Sequence, residues 1–183
     1  MSNQKNNRPT EINQENRPKD LIISGAQLLP GTFRNFSGVG TPMNHEGSRN
    51  FNLLLDPDSA DELIAAGWNV KWTKEQPDRP SEPYMKVNVK YYDGKGPDID
   101  VVTPEGNITK VTERTVGELD RAYIDHVDIH VYPKWYDLGF SQGWSARLRS
   151  MNVYLKESLV DPIKKNLDVY RQNNEEDFGD EEE

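Results

Sequence analysis

The chain has 183 residues, close to the length of one domain, and its 31 acidic and 22 basic residues give a formal net charge of −9. Seven of the acidic residues lie in positions 172–183, which contain no basic residue, so without them the charge is only −2. The absence of cysteine excludes disulfides, thiolate metal sites and cysteine nucleophiles. Apolar runs such as that at 53–55 are far shorter than the roughly 20 residues that span a bilayer, so no membrane association is expected.

Both ends of the chain have the composition of disordered segments. Residues 1–19 are rich in Asn, Gln, Pro and charged residues, and residues 172–183 form a polyanion that repels itself. Neither end has enough apolar side chains to offset the entropy of ordering. We therefore predict a disordered arm over 1–19, one domain over 20–171 and a disordered acidic tail over 172–183. The polar N-terminus lacks an apolar secretory signal, so we expect a cytoplasmic protein.

Most of the domain has the patterns of β-strands. Strict alternation is clearest at Tyr84–Tyr92, where Met85, Val87 and Val89 share one face. Shorter apolar runs are bounded by turn residues such as Pro, Gly, Asn and Asp. In chain order, the predicted strands cover residues 21–29, 50–55, 69–73, 84–92, 127–136 and 144–155, with a further hairpin over 98–111.

Three helices are predicted from their N-terminal signals. Ser59 and Glu62 form a capping-box pattern before a short helix over 60–66, and Thr115 and Glu118 form another before a helix from Val116 to about Ala122. Asp161-Pro162 is a favourable start for a short C-terminal helix.

The predicted order is two strands, a short helix, two strands, a hairpin, a helix and two closing strands. This order favours a mainly β domain built as a small antiparallel barrel. An OB-fold has its helix between the third and fourth strands, which is where the helix after Thr115 lies if the 60–66 helix and the 98–111 hairpin are insertions. A β-sandwich or jelly-roll is the alternative.

His126, Asp128 and His130 lie on one face of a predicted strand and have the residue types of a metal site. At about 3.3 Å per residue the two histidines are about 13 Å apart. Metal–nitrogen bonds are only about 2 Å long, so both cannot bind one ion. We predict a solvated polar face there. No nucleophile motif or phosphate-binding loop is present either, and we predict neither catalysis nor a cofactor.

Aromatic and basic residues alternate on the outer faces of two predicted strands, 84–92 and 130–136. This mixture is typical of proteins that bind single-stranded nucleic acid, because bases stack on rings and phosphates follow cations. Tyr and Lys are also ordinary residues of exposed strands, so a non-catalytic protein-interaction or structural module is the alternative. The candidate DNA-binding residues are Arg34, Phe36, Arg49, Lys71, Trp72, Tyr84, Lys86, Lys90, Tyr92, Tyr132, Lys134, Tyr136, Arg147 and Arg149.

Five segments of the chain resemble bacteriophage-encoded single-stranded DNA-binding proteins: 33–38, 49–56, 67–71, 127–136 and 143–147. The resemblance implies an OB-fold that binds single-stranded DNA without sequence preference and without catalysis, during phage replication or recombination. It also implies location in the host cytoplasm and protein partners such as a polymerase, helicase, recombinase or nuclease. Whether the protein forms a homo-oligomer is left open.

The acidic tail contains one aromatic residue, Phe178, among its seven acids. Such a polyanion either competes with DNA for a cationic groove or offers a docking peptide to partners, as the resemblance implies. Family tails often end on an aromatic residue, whereas five residues follow Phe178 here. The candidate tail residues are Glu175, Glu176, Asp177, Phe178, Asp180, Glu181, Glu182 and Glu183.

Overall fold

The computed structural model describes residues 12–31 and 34–157. The predicted order of strands and helices between residues 21 and 155 is confirmed. The elements are β1 (Leu21–Ala26), β2 (Arg49–Leu54), α1 (Pro57–Ala65), β3 (Val70–Trp72), β4 (Pro83–Val89), β5 (Asp98–Val102), β6 (Ile108–Val111), a 3₁₀ helix (Val116–Arg121), β7 (Ile124–Asp137) and β8 (Gln142–Leu155). The predicted C-terminal helix and the acidic tail lie outside the described residues.

The strands form one sheet in the order β1-β7-β8-β4-β2, with β3 beside β4, β5 beside β8 and β6 beside β5. The chain just after β1 connects the two ends of this order. Leu29 N–H donates to Asn52 O at 3.0 Å, and Leu54 N–H donates to Gln27 O at 2.9 Å. The sheet therefore curls into a nearly closed barrel. With the 3₁₀ helix between β4 and β7, this is the arrangement of an OB-like fold.

Two of the strand pairings are parallel, so the prediction of an antiparallel barrel is wrong in this respect. Val87 of β4 lies opposite Ala146 of β8, and β5 continues along the same edge of β8, with Ile99 opposite Met151. Parallel strands need long crossover connections. Turn signals in the sequence report only on neighbouring strands, and they carry no information about these pairings.

Neither predicted capping box forms. Helix α1 begins at Pro57, and the Asp56 carboxylate caps it by accepting from Asp58 N–H at 3.2 Å. Proline suits the first helical position because its missing N–H would have no partner there. Ser59 therefore lies inside the helix. Thr115 makes no side-chain capping bond; its hydroxyl instead accepts from Thr112 N–H at 2.9 Å.

The core lies inside the barrel and follows the predicted alternation. Met85, Val87 and Val89 of β4 are buried, as are Phe51 and Leu53 of β2. Strands β5, β7 and β8 and the 3₁₀ helix contribute most of the rest of the barrel interior, chiefly Ile99, Val101, Val116, Leu119, Val127, Ile129, Val131, Ala146, Leu148, Met151 and Val153. Alternate side chains of the same strands consequently face outward, which leaves a continuous outer surface for function.

Part of the predicted N-terminal arm makes contacts with the barrel. The side chain of Ile12 lies beside Gly67. Asn13 Oδ1 accepts from the backbone N–H groups of Glu15 and Asn16 at 2.9 and 3.0 Å. Residues 1–11 lie outside the described part of the chain, and the domain boundaries stay predictions.

Candidate nucleic-acid interface

Strand β8 joins the two aromatic and basic faces that the sequence predicts separately. Arg147 of β8 lies opposite Asn88 of β4 on one side and opposite Tyr132 of β7 on the other. The side chains of residues that lie directly opposite each other on paired strands are neighbours on the same face of the sheet. We call the outward polar and aromatic side chains of β2, β4, residues 132–134 of β7 and residues 145–149 of β8 the outer face. They are Asn50, Asn52, Tyr84, Lys86, Asn88, Tyr132, Lys134, Ser145, Arg147 and Arg149.

The outer face is electropositive although the chain is acidic. Strands β2, β4 and β8 contain no Asp or Glu, and Lys86, Arg147 and Arg149 face outward from β4 and β8. Lys134 of β7 is exposed beside them, opposite Ser145. A surface lined by one sign of charge attracts an oppositely charged ligand, and the phosphates of a nucleic acid are such a ligand.

Arg149 and Tyr132 form a cation–π pair on this face. The guanidinium carbon of Arg149 lies 4.6 Å from the centre of the Tyr132 ring, within the distance at which this interaction is attractive. Arg147 is half-buried, and its Nε is buried without a hydrogen-bond partner. Only the rest of the half-buried side chain can therefore meet an incoming acceptor such as a phosphate oxygen.

Two more predicted residues, Lys71 and Trp72, lie in β3 beside Tyr84, and they face opposite sides of the sheet. Lys71 lies opposite the half-buried Tyr84, so an exposed ammonium group stands beside a ring. Trp72 lies opposite the buried Pro83, on the other side of the sheet from Lys71, although its side chain is 46% exposed. Both aromatic residues have accessible surface on which a base could stack.

Lys90 and Tyr92 lie beyond the end of β4, which is shorter than predicted. Tyr92 and Lys95 exchange two backbone hydrogen bonds of 2.8 Å in a tight turn, and the Tyr92 side chain is 60% exposed. These two residues therefore lie in an exposed segment and turn after β4 rather than in the predicted strand.

Tyr136 and the turn after β7 lie at the end of the barrel where β7 ends and β8 begins. Tyr136 is half-buried and packs on Gly143, where a Cβ atom would lie a tight 3.1 Å from the Tyr136 hydroxyl oxygen. Its hydroxyl lies 3.4 Å from Ser141 Oγ. Phe140 in the same turn is 90% exposed, and it is not among the residues predicted from the sequence. An aromatic residue in a Gly-containing turn between two strands is the signal that could have found it.

Phe36 is not available to DNA, so that site prediction is wrong. Its ring is fully buried and stacks on Phe51, with centroids 4.9 Å apart and planes 21° apart. The arginines near Phe36 in sequence misled the prediction. The preceding backbone enters the barrel because Asn35 and Asn50 exchange two backbone hydrogen bonds, which turns the next side chain inward.

Arg34 and Arg49 also lie apart from the outer face. Arg34 is half-buried, its Nη1 has no hydrogen-bond partner, and burial lowers its pKa while Asp120 opposes that shift. It lines a cavity of about 250 Å³ with Asp125 and Lys156. The guanidinium carbon of Arg49 lies 5.4 Å from the centre of the Tyr91 ring, at the end of the barrel.

Asn35 organises the loop between β1 and β2. It is fully buried, and its Oδ1 accepts from the backbone N–H groups of Gly38 and Val39 at 2.8 and 3.0 Å. Its Nδ2 donates to Val39 O at 2.8 Å. Asn44 adds donations to three backbone carbonyl oxygens from within the loop. These bonds tie residues 35–39 to residues 44–48 beside Asn50 of the outer face, whose Nδ2 donates to Asn44 Oδ1 at 3.0 Å.

The two histidines of the metal hypothesis have separate carboxylate partners. His126 Nδ1 lies 2.6 Å from Asp125 Oδ2, and its ring stacks on Tyr154 at 4.3 Å. Hydrogen bonding to Asp128 raises the pKa of that tyrosine. His130 Nε2 lies 2.9 Å from Asp20 Oδ2. Within residues 12–31 and 34–157, no group of three or more metal-ligating side chains forms a cation site.

A comparison with protein families gives the context for this surface. Residues 11–176 match the family described as "Putative phage ssDNA-binding domain". The chain belongs to this family. The phage ssDNA-binding domain thus covers the whole barrel, the outer face and the 19 residues after the last described residue, Glu157. Single-stranded DNA binding agrees with the acid-free outer face.

One solved structure is similar to the phage ssDNA-binding domain described above. It is the single-stranded DNA-binding protein from bacteriophage Enc34, in a C-terminally truncated form, with 14% sequence identity and a TM-score of 0.45. The similarity covers 76% of this chain and 87% of that one. No curated protein sequence matches the chain. In the described part of the domain, no helix is both long and apolar enough to cross a membrane.

Proposed function

We propose that the domain binds single-stranded DNA without sequence preference across the outer face, from Tyr84 and Lys86 through Arg147 to Tyr132 and Lys134. The observation that carries the proposal is the position of Arg147, opposite both Asn88 and Tyr132. Because Arg147 lies between β4 and β7, the aromatic and basic side chains of these two strands belong to one continuous electropositive surface.

The chemistry of the outer face favours contacts that every nucleotide offers. Rings such as Tyr84 and Tyr132 stack on any base, and each stacked base contributes about 1–3 kcal/mol. Lysines and arginines pair with phosphates irrespective of sequence. Specific recognition requires side chains fixed against base edges. The exposed lysines Lys86 and Lys134 are instead mobile point charges, which supports binding without sequence preference.

We assign the protein a role in protecting single-stranded DNA during phage replication and recombination, inside the host cell. The acidic tail, residues 172–183, serves as a docking segment for partners such as a polymerase, helicase, recombinase or nuclease, and it competes with DNA for the outer face. The charge contrast between the acid-free strands and the seven acids of the tail supports this assignment.

Fluorescence anisotropy with labelled single-stranded oligonucleotides tests the binding surface. We expect oligo-dT and a mixed sequence of the same length to bind within a few-fold of each other, with affinity falling steeply as salt rises. Arg147→Gln should weaken binding, whereas Arg121→Gln, on the 3₁₀ helix away from the outer face, should not. Equal effects of the two substitutions would refute this surface, and a strong sequence preference would refute nonspecific binding.

A truncated protein tests whether the acidic tail competes with DNA for the outer face. Deleting residues 172–183 removes seven negative charges, and we expect tighter binding, with the largest gain at low salt because screening weakens a mobile polyanion. Amide NMR signals of β4 should shift on truncation without DNA, and the same signals should shift again when DNA is added. Unmoved signals on truncation would contradict competition and leave the tail as a docking segment only.

A further inference from the structure

Asp20 sits at the centre of a cluster of basic side chains beside the outer face. Its Oδ2 lies 2.9 Å from His130 Nε2 of β7 and 3.4 Å from Arg149 Nε of β8. Its Oδ1 lies 3.8 Å from Arg17 Nη2. Two side chains from neighbouring strands thus converge on one carboxylate oxygen, which is supplied by the residue just before β1.

This cluster continues the proposed path of the DNA. Arg149 lies over Tyr132, and Tyr132 lies opposite Arg147. An arginine and a histidine that converge on one oxygen also suit a phosphate, since charge-assisted hydrogen bonds to carboxylate and phosphate oxygens have the same geometry. The position of Asp20 Oδ2 therefore marks a place where a phosphate oxygen fits.

We propose that His130 and Arg149 form a binding site for a backbone phosphate of single-stranded DNA, and that Asp20 occupies this site in the free protein. DNA displaces the carboxylate when it binds. The proposal rests on the proposed function, and it adds His130 as a DNA contact and Asp20 as an internal competitor.

Two observations support the proposal that DNA can displace the Asp20 carboxylate from this site. The side chains of Asp20 and His130 are 30% and 28% exposed, and that of Arg149 is 51% exposed, so the contact is open to solvent and of the kind that contributes little stability. The hydrogen bond from His130, with the nearby charge of Arg149, holds the pKa of Asp20 below its usual 3.8 despite partial desolvation. The occupant is consequently an anion at neutral pH, like the phosphate that replaces it.

Asp20→Asn tests the proposal in the full-length protein, with Asp125→Asn as the matched control. Both substitutions remove one negative charge and one carboxylate partner of a histidine on β7. Within residues 12–31 and 34–157, however, Asp125 forms an ion pair with His126 and with no arginine. In anisotropy titrations with oligo-dT, Asp20→Asn should tighten binding about twofold to fivefold, the range that an exposed ion pair supplies. Asp125→Asn should leave it within about 1.5-fold of wild type, given the same weak coupling of exposed charges.

The double variant Asp20→Asn/Arg149→Gln separates a local competitor from a general charge effect. If the carboxylate competes at this site, the gain from Asp20→Asn disappears once Arg149 is removed. The side-chain Nε–H signal of Arg149 should also shift in NMR spectra when oligo-dT is added to the wild type. Unchanged or weaker binding by Asp20→Asn, or an equal gain from Asp125→Asn, would overturn the proposal. Wild-type protein that does not bind oligo-dT would refute the proposed function itself, whereas wild-type binding without the Asp20→Asn gain refutes only this site.

Discussion

The guanidinium carbon of Arg149 lies 4.6 Å from the centre of the Tyr132 ring, so one side of this ring is already covered in the free protein. A base that stacks at this position must use the other face of the ring or the guanidinium plane. Arginine planes serve as stacking surfaces much as aromatic rings do, and the two side chains therefore act as one platform.

We expect Tyr132→Ala to weaken single-stranded DNA binding by about 1–3 kcal/mol if one base stacks on the platform. Arg149→Gln should weaken it too, and the double variant should lose less than the sum of the single losses, because residues in contact are not additive. Tyr123→Ala is the control, since Tyr123 is 69% exposed but lies before β7. Fully additive losses in the double-mutant cycle would contradict a shared platform.

Lys86 and Lys134 are expected to act through phosphate contacts. Replacing either with Gln should lower the slope of log K against log salt by about 0.7, the value for one contact to a single strand. Both side chains are exposed on the outer face, so thermal unfolding should be unchanged. Anisotropy titrations at four or more salt concentrations measure the slope, and an unaltered slope would remove that lysine from the interface.

Phe36 should behave as a core residue. Phe36→Ala removes a fully buried ring that stacks on Phe51, and we expect a loss of about 3–5 kcal/mol in the free energy of unfolding. Urea denaturation measures this loss. Where the variant remains folded, its affinity for oligo-dT should stay close to that of wild type. A large loss of affinity without loss of stability would restore Phe36 to the DNA site.

The contrast between Phe36 and Tyr132 shows what the sequence could predict. Alternation over β4 and β7 identified their inner and outer faces, including Tyr84, Lys86, Tyr132 and Lys134, because one buried face imposes a period of two. Phe36 stands in an irregular segment with no period, and its burial depends on a backbone pairing with β2. Arg147 lies between β4 and β7 because β8 pairs in parallel with β4, a strand that is distant in the sequence. Local sequence patterns do not encode such a pairing.

The low pKa of Asp20 predicts a pH dependence of stability. The hydrogen bond from His130 lowers the pKa of the carboxyl group in the folded state below its usual 3.8. The folded state therefore binds fewer protons than the unfolded state near this pH. The resulting stabilisation is present above pH 3.8 and is lost as the pH falls through the lower, folded-state pKa.

Asp20→Asn should consequently be less stable than wild type at pH 6, and the difference should shrink towards pH 2.5. Urea midpoints of both proteins at several pH values check this. A difference that stays constant with pH would mean that the loss comes from the amide substitution rather than from the charge.

Strand β8 pairs with β7 along one edge and with β4 and then β5 along the other, yet it comes last among the described strands. Its parallel pairings close long loops, whose entropy cost must be met before the contacts form. During synthesis, Met85, Val87 and Ile99 lack this neighbour until residues 142–155 have left the ribosome. The barrel is therefore completed late in translation, and its apolar strands stay open to chaperones or to aggregation until then.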